Sequence, residues 1–279
     1  MEASFKTLST PSREGSYNNR VRLILVGIVM VYVGGLILAP LIALVVSAFE
    51  GGLGAVIAAL LEPDALAAFW QTLLISLIVI AVHAVFGTLV AWVMVRHQFP
   101  GKDALSGLID MPFAVSPVVV GYMLLLLFGR NGMLAPLLDA LHINVAFALP
   151  GMILATLFVT LPFMIRELIP VLEAFGVQQE QAAATLGANG LQIFRRVTLP
   201  ALRWGFLYGL TLTFARALGE FGAVLVIGGG IQGRTETATV FIYRALDERQ
   251  YTGAYSAGLA LGLFSLILVM GADLLRKNR

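Results

Sequence analysis

Two ionisable residues, Arg216 and Glu220, lie within a long apolar stretch of this chain and are four residues apart. That spacing puts both side chains on one face of a helix, within reach of each other. Charges at membrane depth are costly and usually face water or the protein interior. Two interpretations follow: a guanidinium that meets an anion or holds a gate, or a structural ion pair that fixes helix packing.

An earlier apolar stretch holds a second set of candidates, Asp110 and Ser116, close to Pro112 and Pro117. Proline removes a helix N–H and clashes with the preceding turn. A helix that is broken in lipid is tolerated where it lines a cavity or packs on protein. Asp110 and Ser116 are therefore candidates, with the first pair, for a pathway or a gate. The alternative is a packing kink, with Asp110 near the membrane surface.

No further pattern supplies a catalytic or metal-binding set. The sequence has no cysteine, and its histidines, His83, His97 and His142, lack metal-ligand spacing. No Ser-His-Asp set or carboxylate pair can be argued, so we predict no catalytic residue and no bound metal. Residues 228–235, Gly-Gly-Gly-Ile-Gln-Gly-Arg-Thr, fit a phosphate-loop pattern with Arg in place of Lys. They follow an apolar stretch rather than a strand, and we interpret them as a flexible loop.

The elements that position these residues follow from composition. The chain has 279 residues, of which 59% are hydrophobic and 12% are charged, and a mean hydropathy of +0.90. Soluble domains are about 45–50% apolar and about 25% charged. Continuous apolar runs predict spanning helices rather than the alternating strands of a barrel. The sequence therefore predicts an all-α, polytopic membrane protein.

About six transmembrane helices are predicted, because a span needs roughly 20 apolar residues. They cover residues 23–48, 69–95, 104–128, 147–168, 204–227 and 251–275. Residues 1–22 are predicted to be a disordered cytoplasmic segment, 23–275 the transmembrane domain, and 276–279 a cytoplasmic tail. Residues 53–61 and 132–141 are predicted to be short helices on the outer surface.

Lys and Arg residues predict the orientation in the membrane. Thirteen lie in segments on the side of the termini and four on the other side. Cytoplasmic loops carry an excess of Lys and Arg, so both termini are predicted to be cytoplasmic.

The longest cytoplasmic segment, about 169–203, predicts a helix–turn–helix. An Ala-rich helix from Glu180 is broken at Gly187, Asn189 and Gly190, and a second short helix is limited by Pro200. Small residues permit another protein surface to dock closely. The alternative is an ordinary amphipathic connector.

This segment resembles the signature loop of ABC importer permeases. The matching residues are Ala182, Ala183, Gly187, Val197, Leu199 and Pro200. The family has Glu where this chain has Gln181, and Glu180 stands beside it. The contact that this Glu makes in relatives is therefore either lost or taken over by Glu180. The resemblance implies the type I permease fold and a coupling loop that docks into a groove on an ATPase.

Residues 110–121, 194–200 and 215–223 are similar to the sulfate/thiosulfate permeases, and most similar to their W-type subunit. The resemblance implies a subunit of an ATP-driven importer in the bacterial inner membrane. Its implied partners are a second, T-type permease subunit, an ATPase dimer and a periplasmic sulfate-binding protein. ATP and Mg would be used by the ATPase, so no cofactor is expected on this chain.

Three alternatives stay open at this point. A molybdate or tungstate permease would function as a homodimer, and the molybdate permeases share a similar stretch around Arg216. A secondary anion transporter would show inverted repeats, which are not visible in the sequence. An intramembrane enzyme would need a catalytic set within the spans, and none is present.

Overall fold

The computed structural model describes residues 19–277 of the chain, and within that range the regular structure is helical. Two π-helical turns, His83–Gly87 and Phe194–Thr198, interrupt the α-helical structure. The helices are α1 Asn19–Ala48, α2 Gly52–Leu60, α3 Pro63–Val82, α4 Thr88–Arg96, α5 Lys102–Ala114, α6 Pro117–Phe128, α7 Ala135–Ala140, α8 Leu149–Phe175, α9 Gln178–Thr185, α10 Gly190–Ile193, α11 Leu199–Leu218, α12 Gly222–Gly228, α13 Ala238–Asp247 and α14 Tyr251–Lys277.

The number of possible spans agrees with the prediction of about six. Four helical stretches are long and apolar enough to cross a membrane, namely Val21–Ala48, Pro63–Arg96, Leu149–Phe175 and Tyr251–Leu274. Two bent helix pairs, α5 with α6 and α11–α12, raise the number to six if each pair is one span. The all-α, polytopic fold class is thus confirmed. The chain divides into two units, residues 1–46 and 47–279, and the sites described below lie in the second.

Several helix ends differ from the predicted spans. Helix α1 begins at Asn19 rather than at residue 23. Helix α8 continues to Phe175, beyond the predicted end at residue 168, which shortens the connecting segment. Helix α14 extends to Lys277, into the predicted tail. The predicted N-terminal segment up to residue 18, and residues 278–279, lie outside the described part of the chain.

One of the two bent pairs breaks where the sequence predicts an irregular segment, whereas the other interrupts the span predicted over residues 204–227. Helices α5 and α6 meet at 113°, with Val115 and Ser116 extended between them and Pro117 as the first residue of α6. Helices α11 and α12 meet at 56° across residues 219–221. Proline at the first helical position loses no hydrogen bond, since the first N–H groups of a helix have no intrahelical partner. The irregular segment predicted around Pro117 is therefore present.

Helix α8 forms the centre of the unit and packs against helices α3, α4, α5, α6, α11 and α12. Its fully buried side chains include Met152, Met164, Ile165, Leu168 and Leu172. Helix α11 approaches α8 closely at Gly205 and Gly209. A Cβ atom at Gly205 would lie 2.7 Å from Cγ2 of Val171. Such small residues allow helices to pack in a membrane.

One helix, α13, was predicted as a loop. It begins after Thr237 and buries Ala238, Val240, Phe241 and Ala245 on one face. An amphipathic helix of ten residues is too short and too polar to register in a search for spans. The helical spacing of Ala238, Phe241 and Ala245 was the available signal.

Candidate functional site

The segment between α8 and α11, residues 176–198, contains the matched motif except for Leu199 and Pro200, which begin α11, and is called the coupling segment. Helix α9 within it ends in a Schellman motif around Gly187, which has φ +85°. The Gly187 N–H donates to the Ala184 carbonyl (3.0 Å), and the Ala188 N–H donates to the Ala183 carbonyl (3.1 Å). Glycine takes this left-handed conformation without the steric cost that a Cβ atom brings. The motif glycine therefore sets the turn between the two short helices.

The second short helix starts with a capping box. The Gln192 N–H donates to the Asn189 side chain at 2.9 Å, and the Asn189 N–H donates to Oε1 of Gln192, also at 2.9 Å. Pro200 does not limit this helix, contrary to the prediction. Residues 190–218 form one continuous helix, and the π-helical turn Phe194–Thr198 ends two residues before the proline. In a π-helical turn, a backbone N–H donates to the carbonyl five residues earlier. This hydrogen-bond pattern accommodates Pro200, which has no N–H.

Glu180 fastens the coupling segment to the rest of the subunit. Its Oε2 lies 2.9 Å from Nε of Arg96, at the end of α4. Its Oε1 accepts hydrogen bonds from Nη2 of Arg96 (3.3 Å) and from Oγ1 of Thr198 (2.7 Å). Arg96 also donates to the carbonyls of Leu172 and Gly176, at the end of α8. One guanidinium thus joins α4, α8 and α9.

The opposite side of the coupling segment is exposed. Gln181 and Ala182 are exposed, and Ala183 is half-buried. Leu186 is 89% exposed and Leu191 is 67% exposed, although both are large apolar residues. Successive helical residues are about 100° apart around the axis, so neighbouring Glu180 and Gln181 point in different directions. Glu180 is therefore occupied within this subunit, while Gln181 stands on the free surface.

A cavity of about 420 Å³ lies at the break between α5 and α6. Its one charged lining residue is Arg216, near the end of α11. Two of the predicted pathway residues, Ser116 and Arg216, thus come together, although they are far apart in the sequence. The remaining lining residues are Pro112, Phe113, Ala114, Val115, Pro117, Val159 and Phe163.

Glu220 holds Arg216 and also stabilises the second helix break. Its Oε2 lies 2.8 Å from Nη2 of Arg216, and the Glu220 side chain is 2% exposed against 28% for the Arg216 side chain. Its Oε1 accepts a hydrogen bond from the Ala223 N–H in the first turn of α12 (3.1 Å). Its carbonyl accepts one from Oγ1 of Thr239 (2.6 Å). Glu220 is therefore enclosed by contacts within the subunit, whereas the Arg216 side chain reaches the cavity.

Helices α6 and α12, which follow the two breaks, pack in close contact. A Cβ atom at Gly121 would lie 2.6 Å from Cβ of Val226 and 2.9 Å from the Ala223 carbonyl oxygen. A Cβ atom at Gly222 would lie 3.3 Å from Cβ of Pro117. Since Pro117 and Gly222 are the first residues of their helices, the two N-termini lie side by side next to the cavity.

Asp110 is not part of that cavity lining. Its carboxylate forms a bidentate pair with Arg166 of α8: Nε donates to Oδ1 (2.6 Å) and Nη2 to Oδ2 (2.5 Å). Nη2 of Arg166 also donates to Oγ of Ser106 (2.7 Å). The pair joins α5 to α8 and is one-third to one-half exposed. This partner could not be predicted from the sequence, because Arg166 lies 56 residues away and was counted with the cytoplasmic loop.

At the other end of the subunit, Arg244 of α13 organises a polar network. Its Nε donates to Oε1 of the buried Glu236 (2.6 Å), and its Nη1 donates to Oε2 of Glu248 (3.0 Å). Asp64 lies 3.8 Å from Nη2 of Arg244 and accepts a hydrogen bond from Gln232. The hydrogen bond that Arg244 donates to Glu236 raises the pKa of the Arg244 guanidinium. This arginine is therefore charged and paired.

Within residues 19–277, no three His, Asp or Glu side chains group as a metal site would require. His83 is buried, and its Nε2 lies 3.0 Å from Oγ1 of Thr160. It is a hydrogen-bonded packing residue between α3 and α8.

The chain is similar to membrane components of transport systems. The family described as "Binding-protein-dependent transport system inner membrane component" matches residues 83–278. A sulfate transport system permease protein CysW from Synechococcus elongatus is 48% identical over 256 residues, which are 92% of this chain and 90% of the relative. The CysW protein of Escherichia coli K12 is 45% identical over 90% of this chain and 87% of its own length.

A sulfate transport system permease protein of the CysT type, from Salmonella typhimurium, is 36% identical over 90% of this chain and 91% of that relative. The fold is also similar to that of a chain in the crystal structure of a bacterial alginate ABC transporter in complex with its alginate-bound periplasmic protein. The TM-score is 0.74 at 18% identity, over 91% of this chain and 93% of that chain.

Proposed function

Because the chain belongs to the family of inner membrane components of binding-protein-dependent transport systems, the permeases of ABC importers, we propose that it carries sulfate and thiosulfate. The observation on which this rests is its 48% identity, along nearly the whole chain, to a protein named as a sulfate permease. The chain is a transport subunit and not an enzyme. ATP hydrolysis belongs to a separate ATPase partner.

Partner permease, ATPase and binding-protein subunits follow from membership of this importer class. Identity is 48% to a W-type relative and 36% to a T-type relative. This difference favours the W-type role, in which the chain pairs with a T-type subunit rather than with a second copy of itself. No observation favours the molybdate homodimer or the secondary transporter.

The coupling segment is the surface that the ATPase contacts in this proposal. Exposed Leu186 and Leu191 form an apolar tip, and Gln181, Ala182 and Ala183 lie along α9. Gly187 sets the turn, and Val197, Leu199 and Pro200 join the segment to α11. Glu180 does not replace the family Glu on the docking surface, because Arg96 and Thr198 occupy its carboxylate. It anchors the segment instead.

The anion pathway passes the cavity beside Arg216. An unpaired part of the guanidinium offers N–H donors to an oxyanion, and the Ser116 hydroxyl is a further donor. The N-terminus of α6 carries the positive end of the helix dipole and lies at the same cavity. Half-helix N-termini of broken spans serve anionic substrates in other transporters. Asp110 acts away from the anion, as the partner of Arg166.

The orientation proposed from Lys and Arg places both termini and the coupling segment in the cytoplasm. A movement of the ATPase would then be transmitted to the anion pathway by packed helices that have discrete arrangements. The residues 228–235 and helices α2, α7 and α13 lie on the periplasmic side in this orientation, where the binding protein delivers the anion.

The test is uptake of labelled sulfate into proteoliposomes that contain the complete transporter, with ATP supplied on the ATPase side. We expect ATP-dependent uptake that thiosulfate inhibits by competition and molybdate inhibits weakly. Uptake of molybdate in preference to sulfate would contradict the proposed substrate. Activity of this chain without the T-type subunit would contradict the heterodimer.

A further inference from the structure

A second pocket lies at the end of the subunit away from the coupling segment. It has a volume of about 270 Å³ and adjoins the N-terminal end of α8, whose 27 residues span about 40 Å to the coupling segment. Two arginines line it, Arg130 after α6 and Arg234 in the loop between α12 and α13. They are 104 residues apart in the sequence, yet the fold brings them to one pocket.

These two arginines differ from their neighbours on this face. Arg244 is paired with Glu236 and Glu248, and Arg249 lines a different pocket, together with Glu62. Within the described residues, neither Arg130 nor Arg234 forms an ion pair or a side-chain hydrogen bond. The side of a membrane protein that faces away from the cytoplasm is depleted of Lys and Arg. Two unpaired guanidiniums at one pocket on that side therefore indicate that the pocket binds an anion.

The glycine-rich loop presents Arg234 through a defined structure. The buried Thr235 donates from Oγ1 to the Gly228 carbonyl (2.7 Å) and accepts from the Ile231 N–H (3.0 Å). Nε2 of Gln71 on α3 donates to the Arg234 carbonyl (3.4 Å). The loop is therefore closed on itself and tied to α3, and it holds the Arg234 backbone while the side chain is exposed. This differs from the flexible loop predicted from the sequence.

We propose that Arg130 and Arg234 form an oxyanion-binding site on this face, separate from the cavity at Arg216. Its ligand is either the free sulfate-type anion or a carboxylate of the soluble binding protein, both of which suit paired guanidinium donors. Asp139 also lines the pocket and offsets part of the positive charge. For its position on the outer side and for the identity of the anion, the inference rests on the proposed function.

The charge of the pocket can be measured directly, because the chain has no cysteine. Asn144 lines the pocket, and Asn144→Cys leaves both arginines in place. In the complete transporter, we compare modification of this subunit by the anionic sulfonatoethyl and the cationic trimethylammonioethyl methanethiosulfonates. Gln232→Cys is the control, since Gln232 is exposed in the same loop but does not line the pocket. Ala135→Cys provides a second reporter on the pocket wall if the first impairs folding.

We expect the ratio of the modification rate by the anionic reagent to that by the cationic reagent to be higher at Asn144→Cys than at the control Gln232→Cys. This ratio is the preference measured below. Arg130→Gln and Arg234→Gln should each lower this preference by about threefold or more, because local charge controls the encounter rate. Asp139→Asn should raise it, and Arg249→Gln should leave it unchanged. An equal preference at Asn144→Cys and at the control Gln232→Cys would overturn the proposal. So would a preference that neither arginine variant changes.

Protection then identifies the source of the oxyanion. Slower modification in sulfate than in chloride of equal ionic strength would indicate a free-anion site. Protection only by the binding protein would indicate a carboxylate of that protein. In that case, the concentration of binding protein that half-saturates ATPase stimulation should rise about tenfold in the double arginine variant. Absence of protection by either would overturn ligand binding. Because the assay does not require transport, a failure of sulfate uptake in the unmodified transporter is separable from a failure of this site.

Discussion

Nε of Arg96, at the end of α4, lies 2.9 Å from Oε2 of Glu180 in the first turn of α9. Both side chains are mostly buried, with 9% and 14% exposed. Removing one partner of a buried ion pair costs about 3 kcal/mol, because the other charge is left without compensation.

The first prediction tests this anchor. Glu180→Ala should insert in the membrane but lose most ATPase association, since α9 is no longer held to α4. Co-purification of the ATPase with the permease is the measurement. Glu173→Ala, which removes an exposed carboxylate at the end of α8, is the matched control and should associate normally. Normal association of Glu180→Ala would show that Arg96 does not position the coupling segment.

The second prediction compares two glycines of one turn. Gly187 has φ +85°, whereas a Cβ atom at Gly190 would meet open space. A bulky side chain in the left-handed region costs about 1–2 kcal/mol. Gly187→Val should therefore reduce ATP-dependent uptake at least several-fold and leave residual uncoupled hydrolysis, while Gly190→Ala should transport normally. Equal rates for the two variants would exclude the turn geometry as a requirement.

The third prediction separates the roles of Arg216 and Glu220. Arg216→Gln should assemble normally and lower sulfate uptake by tenfold or more, on the order of the loss of one charge-assisted contact. Glu220→Gln should lower the amount of assembled complex, because Glu220 is buried and caps α12. Arg203→Gln, an exposed arginine on the same helix, controls for charge. If Arg216→Gln lowers complex yield and uptake in equal proportion, the arginine is structural.

The fourth prediction concerns Asp110 and Arg166. Because both side chains are partly exposed, their pairing is worth about 1 kcal/mol rather than several. Asp110→Asn and Arg166→Gln should each lower the thermal stability of the complex modestly, and the exchange Asp110→Arg with Arg166→Asp should restore part of it. Asp103→Asn, an exposed carboxylate on α5, should have no effect. A complete loss of uptake at unchanged stability in Asp110→Asn would instead place Asp110 on the anion pathway.

The fifth prediction concerns orientation. Asn189→Cys and Gln98→Cys should be shielded from impermeant thiol reagents in intact cells, and Gln232→Cys should react. All three positions are exposed in the subunit. A position that is not labelled is therefore separated from the reagent by the membrane, rather than buried in the protein. Labelling of Asn189→Cys from outside would reverse the proposed topology.

Hydrophobic length was enough to predict the spans, because a helix must cover the bilayer whatever surrounds it. Local spacing was also enough for the Arg216–Glu220 ion pair, since four residues make one helical turn. Contacts between distant segments could not be predicted in this way. Arg166 and Asp110 meet only because α5 packs on α8, and the inward direction of Glu180 depends on where α4 ends. The π-helical turn before Pro200 was missed for a related reason, since proline marks a helix start as readily as a helix end.

The continuous helix over residues 190–218 has the coupling tip at one end and Arg216 near the other. Asn189 and Arg216 are 27 residues apart, which corresponds to about 40 Å of helix. If the Asn189 end stays fixed on the ATPase, a tilt of about 5° displaces the guanidinium by about 3 Å. That displacement is about the donor–acceptor distance of one hydrogen bond. In the proposed importer, the helix would therefore act as a lever arm, and a small rotation of the ATPase would bring Arg216 into or out of reach of the anion.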